Sequence, residues 1–511
     1  MKIEDTNIPL EFRPTIIPRP YPQTLNLADT FLDHEESMPA IYFEDERISY
    51  GELKGRVNQT ARGLQECGIR DSDRIVLRLE NTPYFFYTWL AINKLGAIVV
   101  PTLPAFQRKE LEYIVQDCSP RAIITSQNLA EQTVGLSESI LIAEELIPKW
   151  FRENSDENFV SQTEKDDVAL IVYTSGSTGK PKGTMHTHME LLSMVDIYAP
   201  SHLRLQQNDI CSGTPSMAFV YGLEGLFAFP LRMGASTVLL AGRFDPKKIE
   251  KAVQKHKISL LFSGPRAYSR MLNEDIALGT SLRLCISAGE HLPAETYQKW
   301  KERFGVEIVD GIGCTELLSM LIASKPGEVR PGSTGKAVPG YEIRLLNPEG
   351  REVETNTPGL LSVRGPTGCW YLNKPEEQKA RVKDGWTNTG DIFTRDTEGY
   401  FYYCGRNDDL INIGGNKVYP LEVEGVLLTH QEIEEAAVVG LRKGDKTILK
   451  AYVVTKPNRR VTSEELTALV RGNLSYYKVP NEIIFVGSLP KTPNGKLARR
   501  ELSVIEGNHD K

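Results

Sequence analysis

The chain has 511 residues, several times the length of an ordinary ~150-residue domain, so more than one folding unit is expected. Hydrophobic residues make up 40% and charged residues 25%, ordinary globular usage that excludes a disordered or fibrous protein. Sixty Lys and Arg against 67 Asp and Glu leave a net charge of −7, which offers no broad footprint for nucleic acid; an anionic ligand has to be held by local groups.

The seven cysteines, Cys67, Cys118, Cys211, Cys285, Cys314, Cys369 and Cys404, are widely spread with no Cys-x-x-Cys pair, which points to reduced thiols rather than a disulfide framework or a zinc site. The start, MKIEDTNIPLEF, lacks a basic stretch followed by an apolar one, so no signal peptide is expected. No apolar run approaches the ~20 residues of a membrane span. The expected location is the cytoplasm.

Residues 49–125 alternate helix and strand. Ser49 can cap a helix with Glu52 three positions on, and Leu53, Val57, Ala61 and Leu64 repeat at helical spacing until Gly68. RIVLRL (74–79) reads as a buried strand, 83–96 as a helix opened by Pro and closed by Gly, and AIVV (97–100) as a strand. The rhythm recurs in strands 236–240, 258–262 and 282–286 and helices 246–256 and 294–304. It predicts parallel sheets covered by helices, with ligands at the carboxyl ends of strands. Near residue 340 the texture changes to short strands (341–346, 359–364, 400–404) between Gly, Pro and Asn turns, as in an antiparallel or barrel-like unit. After Arg406 come a helix (420–428), strands 435–440 and 448–454, a helix (463–474) and a strand (483–486), a compact α+β unit with a plausible hinge at 405–411.

The segment YTSGSTGKPKG (173–183) follows the buried-strand candidate DVALIV. Small hydroxylated residues and glycines at a strand's carboxyl end present backbone N–H groups and hydroxyls to phosphate oxygens, and Lys180 and Lys182 add positive charge. It is not a Walker A loop, because Pro181 follows Gly179-Lys180. Ser177-x-x-Lys180 lacks the companion motifs of penicillin-binding enzymes. His186 and His188 form a His-x-His pair, but two ligands without a third do not make a metal site.

YTSGSTGKPKG resembles the phosphate loop of the acyl-adenylate-forming superfamily, which includes acyl-CoA synthetases, peptide-synthetase adenylation domains and luciferases. SAGEHLP (287–293), DGIGCTE (310–316), TGD (389–391), GRNDDLINIGGNKVYPLEVE (405–424) and PKTPNGKLARREL (490–502) resemble its other segments, in family order. FVYGLEG (219–225), DGIGCTELL and GEVRPGSTGKAVPGYEI (327–343) are similar to benzoate- and aminobenzoate-CoA ligases, although those usually carry His where this chain has Ser319. The implied fold is α/β: a large N-terminal domain of helix-covered sheets with a small barrel-like subdomain (1–404), a hinge (405–411), and a small mobile α+β domain (412–511).

The resemblance also implies roles. Thr174, Ser175, Gly176, Ser177, Thr178, Gly179 and Lys182 hold phosphate, while Ala288, Gly289, Glu290, Asp310, Gly311, Ile312, Gly313 and Thr315 form the adenine site. Glu316, preceded by Thr315 in the catalytic segment, is the magnesium ligand, with Thr174 as a second; a hard ion shared with phosphates needs only one or two protein ligands. Asp391 accepts hydrogen bonds from the ribose hydroxyls, assisted by Arg406, and Lys496, projected by the Asn494-Gly495 turn, is the catalytic lysine on the α-phosphate. Asp408 is the hinge, and Gly414 and Gly415 line the thiol tunnel. Phe219, Val220, Tyr221, Gly222, Gly289, Ile312 and Ser319 surround the acyl group. The implied activity is ATP- and Mg2+-dependent activation of a carboxylic acid, an aromatic acid by the same resemblance, as acyl-AMP, followed by transfer to CoA. A carrier-protein phosphopantetheine is the alternative acceptor, and monomer and homodimer both stay open.

Overall fold

The computed structural model describes residues 20–158, 161–174, 181–414, 416–443, 446–492 and 496–504, with Ser503 and Val504 described by backbone alone. The chain divides into two compact units, Met1–Ile343 with Ser362–Thr389, and Arg344–Leu361 with Gly390–Lys511.

The first unit holds two large sheets among its described residues. One has the strand order Ile140–Ile142, Ala122–Thr125, Arg74–Arg78, Ile98–Pro101, Val168–Tyr173, Gly183–Thr187. It is parallel except for its last pair. The expected βαβ rhythm is present, with helices Tyr50–Glu66 and Pro83–Lys94 between strands. Ser49 caps the first helix in a reciprocal box with Glu52, its hydroxyl accepting from Glu52 N–H at 3.2 Å and the Glu52 carboxylate accepting from Ser49 N–H at 2.7 Å. The second helix is buried on nearly every side, which suits its apolar composition, and its one lysine, Lys94, is paired with Asp29. Gly96 ends it at φ +73°, where a Cβ would lie 2.3 Å from Asp71 Oδ1.

The other sheet runs Lys336–Ala337, Ser319–Ala323, Ile308–Cys314, Leu284–Ala288, Leu260–Ser263, Ile210–Gly213, Ser236–Leu239, Pro39–Phe43, Glu46–Ser49. Its middle is parallel and both edges are antiparallel. Two strands begin two residues later than their apolar runs suggest. Near the amino ends of those runs the Ser259 hydroxyl and the Arg283 guanidinium both bond to the Asp209 carboxylate, at 2.7 and 2.6 Å. Helices Pro246–His256, Pro265–Leu272 and Ala294–Phe304 cover one face, where Trp300, Tyr268, Ile249 and Met271 pack on Leu261, Cys285 and Ile308. A five-stranded sheet of shorter strands occupies 342–406. Among the described residues no helix is long and apolar enough to cross a membrane.

In the second unit the antiparallel strands Ile433–Lys443 and Lys446–Thr455 pair with one register shift, between Ile433 and Glu435, and Glu482–Phe485 joins in parallel. Strand alternation sends Val438, Leu449, Ala451 and Val453 to one face, against Val423 and Leu427 of helix Pro420–Leu428 and Leu466 and Val470 of helix Ser463–Asn473. Ala437, Val439, Tyr452 and Val454 point to the other face, against Leu489 and Leu502.

Replacing Ser49 by Ala is expected to cost about 1 kcal/mol of stability in urea titration, and Ser49→Asp to restore most of it. The Ser49 N–H holds the Glu52 carboxyl below its ordinary pKa, so the contribution of Glu52 is present at neutral pH and fades as pH falls through that lowered value.

Candidate active site

The strand Val168–Tyr173 is buried along its whole length and pairs with Gly183–Thr187 in a register that sets Tyr173 opposite Gly183. The connection between them is pinned at its base: Thr174 N–H donates to the Lys182 carbonyl at 3.0 Å, and Lys182 N–H donates to Thr174 Oγ1 at 3.3 Å. Gly183 lets the strands sit close, since a Cβ there would press on the Tyr173 ring at 3.0 Å. The neck of the expected phosphate loop is thus in place, while Ser175, Gly176, Ser177, Thr178, Gly179 and Lys180 lie outside the described residues.

Strand Ile308–Cys314 turns sharply into strand Ser319–Ala323 through Thr315–Leu317, with Leu318 in the left-handed region at φ +50°. This turn carries Glu316. Its Oε1 accepts from the Tyr371 hydroxyl at 2.8 Å and from Arg381 Nη2 at 3.0 Å. Arg381 also donates to the Thr389 carbonyl at 2.9 Å. Burial works against the Arg381 charge, but Glu316 and then Tyr371 outweigh it and hold the guanidinium pKa above its ordinary value. Tyr371 reaches this point because its segment adds onto strand Gly183–Thr187, with Met185 N–H on the Trp370 carbonyl and Leu372 N–H on the Gly183 carbonyl, both at 2.8 Å. Lys182 Nζ lies 5.4 Å from the Tyr371 ring centroid. Two cations and one carboxylate therefore meet around a single phenol.

His186 and His188 have different tasks. His186 is fully buried on strand Gly183–Thr187, its Nε2 3.0 Å from the Thr315 carbonyl and its Nδ1 3.8 Å from Glu190. His188 Nδ1 accepts from Leu27 N–H at 3.2 Å, and burial lowers its pKa to about 3, so it stays neutral.

The expected adenine residues gather at the carboxyl ends of neighbouring strands, in the register Ser287 to Asp310 and Ala288 to Gly311. Gly289 follows at φ +89°, and Glu290 pairs with Arg266 at 3.2 Å. Asp310 is buried, which pushes its carboxyl well above the usual range, and its Oδ1 has no hydrogen-bond partner among the described residues. Ile312 and Gly313 continue the strand; a Cβ on Gly313 would lie 2.2 Å from the Ser319 carbonyl, so glycine lets Ser319 approach.

Of the expected acyl-group residues, Phe219 is half-buried at the head of helix Val220–Leu223. Tyr221 is buried, and its hydroxyl is bound to the carbonyls of Ile286 (2.7 Å) and Ser263 (3.2 Å), which anchors the helix to the nine-stranded sheet. Gly222 packs so tightly that a Cβ would lie 2.0 Å from the Ser216 carbonyl.

Asp391, Arg406, Asp408, Gly414 and Lys496 belong to the second unit. Asp391 and Arg406 are cross-strand partners, joined at 3.0 Å. Asp408 is exposed in the turn Asn407–Asp409, and Gly414, at φ +56°, sits between strands Ile411–Ile413 and Asn416–Val418; Gly415 lies outside the described residues. Lys496 closes a tight reversal, its N–H on Thr492 Oγ1 at 3.1 Å and its carbonyl accepting from Thr492 N–H at 2.7 Å.

Sequence reasoning missed Tyr371 and Arg381, and it weighed His186 only as a metal ligand, not as a partner of the Thr315 carbonyl. Arg381 sits in EEQKARVK, which reads as a solvated helix end, and nothing local marks it as the partner of a residue 65 positions away.

Comparison with known proteins agrees with this geometry. The family model described as AMP-binding enzyme matches residues 29–369, and its C-terminal domain matches 422–496. A benzoate–CoA ligase of Thauera aromatica is 34% identical over 94% of this chain and 96% of its own length. An anthranilate–CoA ligase of Pseudomonas aeruginosa is 31% identical over 92% and 94%. The crystal structure of an anthranilate CoA ligase with anthranoyl-AMP superposes with a TM-score of 0.90 at 30% identity, covering 99% of both chains. A benzoate CoA ligase from Burkholderia xenovorans LB400 gives 0.87 at 31%, covering 94% and 100%. The chain belongs to the AMP-binding enzyme family.

Proposed function

We propose that this protein is an ATP-dependent ligase that activates an aromatic carboxylic acid as its acyl-AMP and transfers the acyl group to CoA in the cytoplasm. The observation that carries the reading is the Glu316 cluster: a carboxylate held by Arg381 and Tyr371 beside Lys182, at the neck of a Gly/Ser/Thr loop. ATP brings about four negative charges and the acid one more, so joining them requires fixed positive groups. The donor set fits magnesium, since Glu316 and the Thr174 hydroxyl are hard oxygen ligands and phosphates and water complete such a shell. Bound there, the ion would neutralise phosphate charge.

In the first half-reaction a carboxylate oxygen of the acid attacks the α-phosphorus and the bond to the bridging oxygen breaks, releasing pyrophosphate. Lys182 and the loop orient the phosphates, Ala288, Gly289 and Asp310 to Gly313 hold the base, and Asp391 with Arg406 holds the ribose. Lys496 stabilises the charge that grows between the attacking oxygen and the α-phosphate. In the second half-reaction the CoA sulfur attacks the acyl carbon and AMP leaves. A rotation about Asp408 separates the two steps, exchanging Lys496 for the face that carries Gly414 and Gly415. The names of the relatives support CoA as acceptor, and the seven unpaired cysteines support a reducing compartment.

Pyrophosphate release measured on a panel of aryl, arylalkanoic and medium-chain acids, with and without CoA, tests the reading. CoA-dependent turnover with an aryl acid is expected, and silence across the panel would refute it. Lys496→Ala is expected to cut adenylate formation by about 100-fold or more while sparing thioester formation from preformed acyl-AMP. Asp408→Pro should do the reverse, leaving pyrophosphate release nearly normal and slowing thioester formation. Arg381→Met leaves Glu316 without its cation and should destabilise the free protein by about 3 kcal/mol, with MgATP raising the melting temperature more in the variant than in the parent.

A further inference from the structure

Glu224 follows helix Val220–Leu223 and opens a π-helical stretch, Glu224–Ala228. Such widened turns are rare and recur at functional sites. Standing three and four positions after Tyr221 and Val220, Glu224 shares a side of the helix with two residues that the sequence resemblance places around the acyl group. Its side chain is only 2% exposed. Its Oε1 has no hydrogen-bond partner among the described residues, and burial is the sole influence on its titration, which it drives well above the ordinary carboxyl range.

The groups around it do not relieve this. Tyr221 is near enough to feel the Glu224 charge, but its hydroxyl is bound to two carbonyls. Tyr341 is also near, but its hydroxyl is engaged with Thr367. The Tyr198 hydroxyl and Asp310 Oδ1, both buried, have no partner among the described residues, and Tyr198 feels both acids. No described side chain therefore pairs with the Glu224 carboxyl. A buried carboxyl left unpaired costs stability that Leu or Met would not, so folding alone does not account for it.

We propose that Glu224 is a specificity-determining residue of the acyl site, and that the acid activated by this protein carries a hydroxyl or amine on its acyl part that hydrogen-bonds with the Glu224 carboxyl. The inference rests on the aryl-acid activation proposed above and narrows it: a bare aromatic ring leaves Glu224 unpaired, whereas a ring hydroxyl or amine pairs it. A site with a buried polar group discriminates strongly against the analogue that lacks the matching one.

The test compares kcat/KM for acid-dependent pyrophosphate release with benzoate, the three hydroxybenzoates and the three aminobenzoates, in the full-length parent, Glu224→Gln and Glu224→Leu. The parent is expected to favour at least one donor-bearing acid over benzoate by about tenfold or more. Glu224→Gln should keep part of that ratio. Glu224→Leu should erase it while raising the melting temperature of the free protein, a combination that a merely structural residue would not produce. A parent that uses benzoate as well as every substituted acid would overturn the inference and leave the ligase reading standing; this measurement needs no variant to fold. An unchanged ratio in Glu224→Leu would overturn it as well. Hydroxy and amino arms separate the two donor types, and no turnover with any aryl acid would remove the underlying reading and this inference with it.

Discussion

The Glu190 carboxylate is the fastening on which the candidate site depends. It is buried, and three donors satisfy it: Thr187 N–H at 3.0 Å, Gly368 N–H at 2.7 Å and the Trp370 indole N–H at 3.1 Å. The first closes a capping box on helix His188–Tyr198, and the other two clamp a distant segment onto the strand before that helix. Gly368 makes the clamp possible, because a Cβ there would lie 2.9 Å from the indole nitrogen. Tyr371 then falls on Glu316, and His186, on the adjoining strand, reaches the Thr315 carbonyl from the other side. A buried anion without those donors would be among the costliest groups in the fold; with them it sets the register of everything around Glu316.

The chain carries a net charge of −7, yet the proposed ligand is a polyanion. The conflict is resolved locally. Arg381 is neutralised by Glu316, which also accepts from the Tyr371 hydroxyl, and Lys182 lies against the Tyr371 ring. Further in, the buried acids Asp310 and Glu224 are both pushed towards the neutral form by loss of water, so the inner region is polar without being strongly charged.

What could be read from the sequence is whatever depends on neighbours in the chain. The capping box at Ser49, the helix opened by Pro83, the buried strand ending at Tyr173 and the helices at 246–256 and 294–304 are set by short-range periodicity and caps, and they stand where the spacing put them. The edge hairpin Pro39–Phe43 with Glu46–Ser49 went unseen because two short strands give a weak alternation signal. Strand Leu284–Ala288 starts two residues into its apolar run, and the Arg283 side chain just before it bonds to Asp209, 74 residues away. The same holds at the site. DGIGCTE could be recognised as a string, but Tyr371, Arg381 and Glu190 earn their positions from contacts 55 to 180 residues apart, which no local pattern encodes. Tyr221 was legible as an aromatic residue near the acyl group, but not as the anchor of its helix to two strand carbonyls.

The long span of the Glu190 clamp also bears on how the molecule comes to exist. Contacts separated by 178 and 180 residues carry a large loop-closure cost before they return any stability, and parallel sheets of this kind fold slowly for the same reason. During synthesis, the strand Gly183–Thr187 emerges long before Gly368 and Trp370 exist to cover it. Its free edge must wait without pairing wrongly, a vulnerable interval in which an exposed strand can aggregate. The Glu316 cluster is therefore completed late in the maturation of the first unit, after most of its sheets have been synthesised.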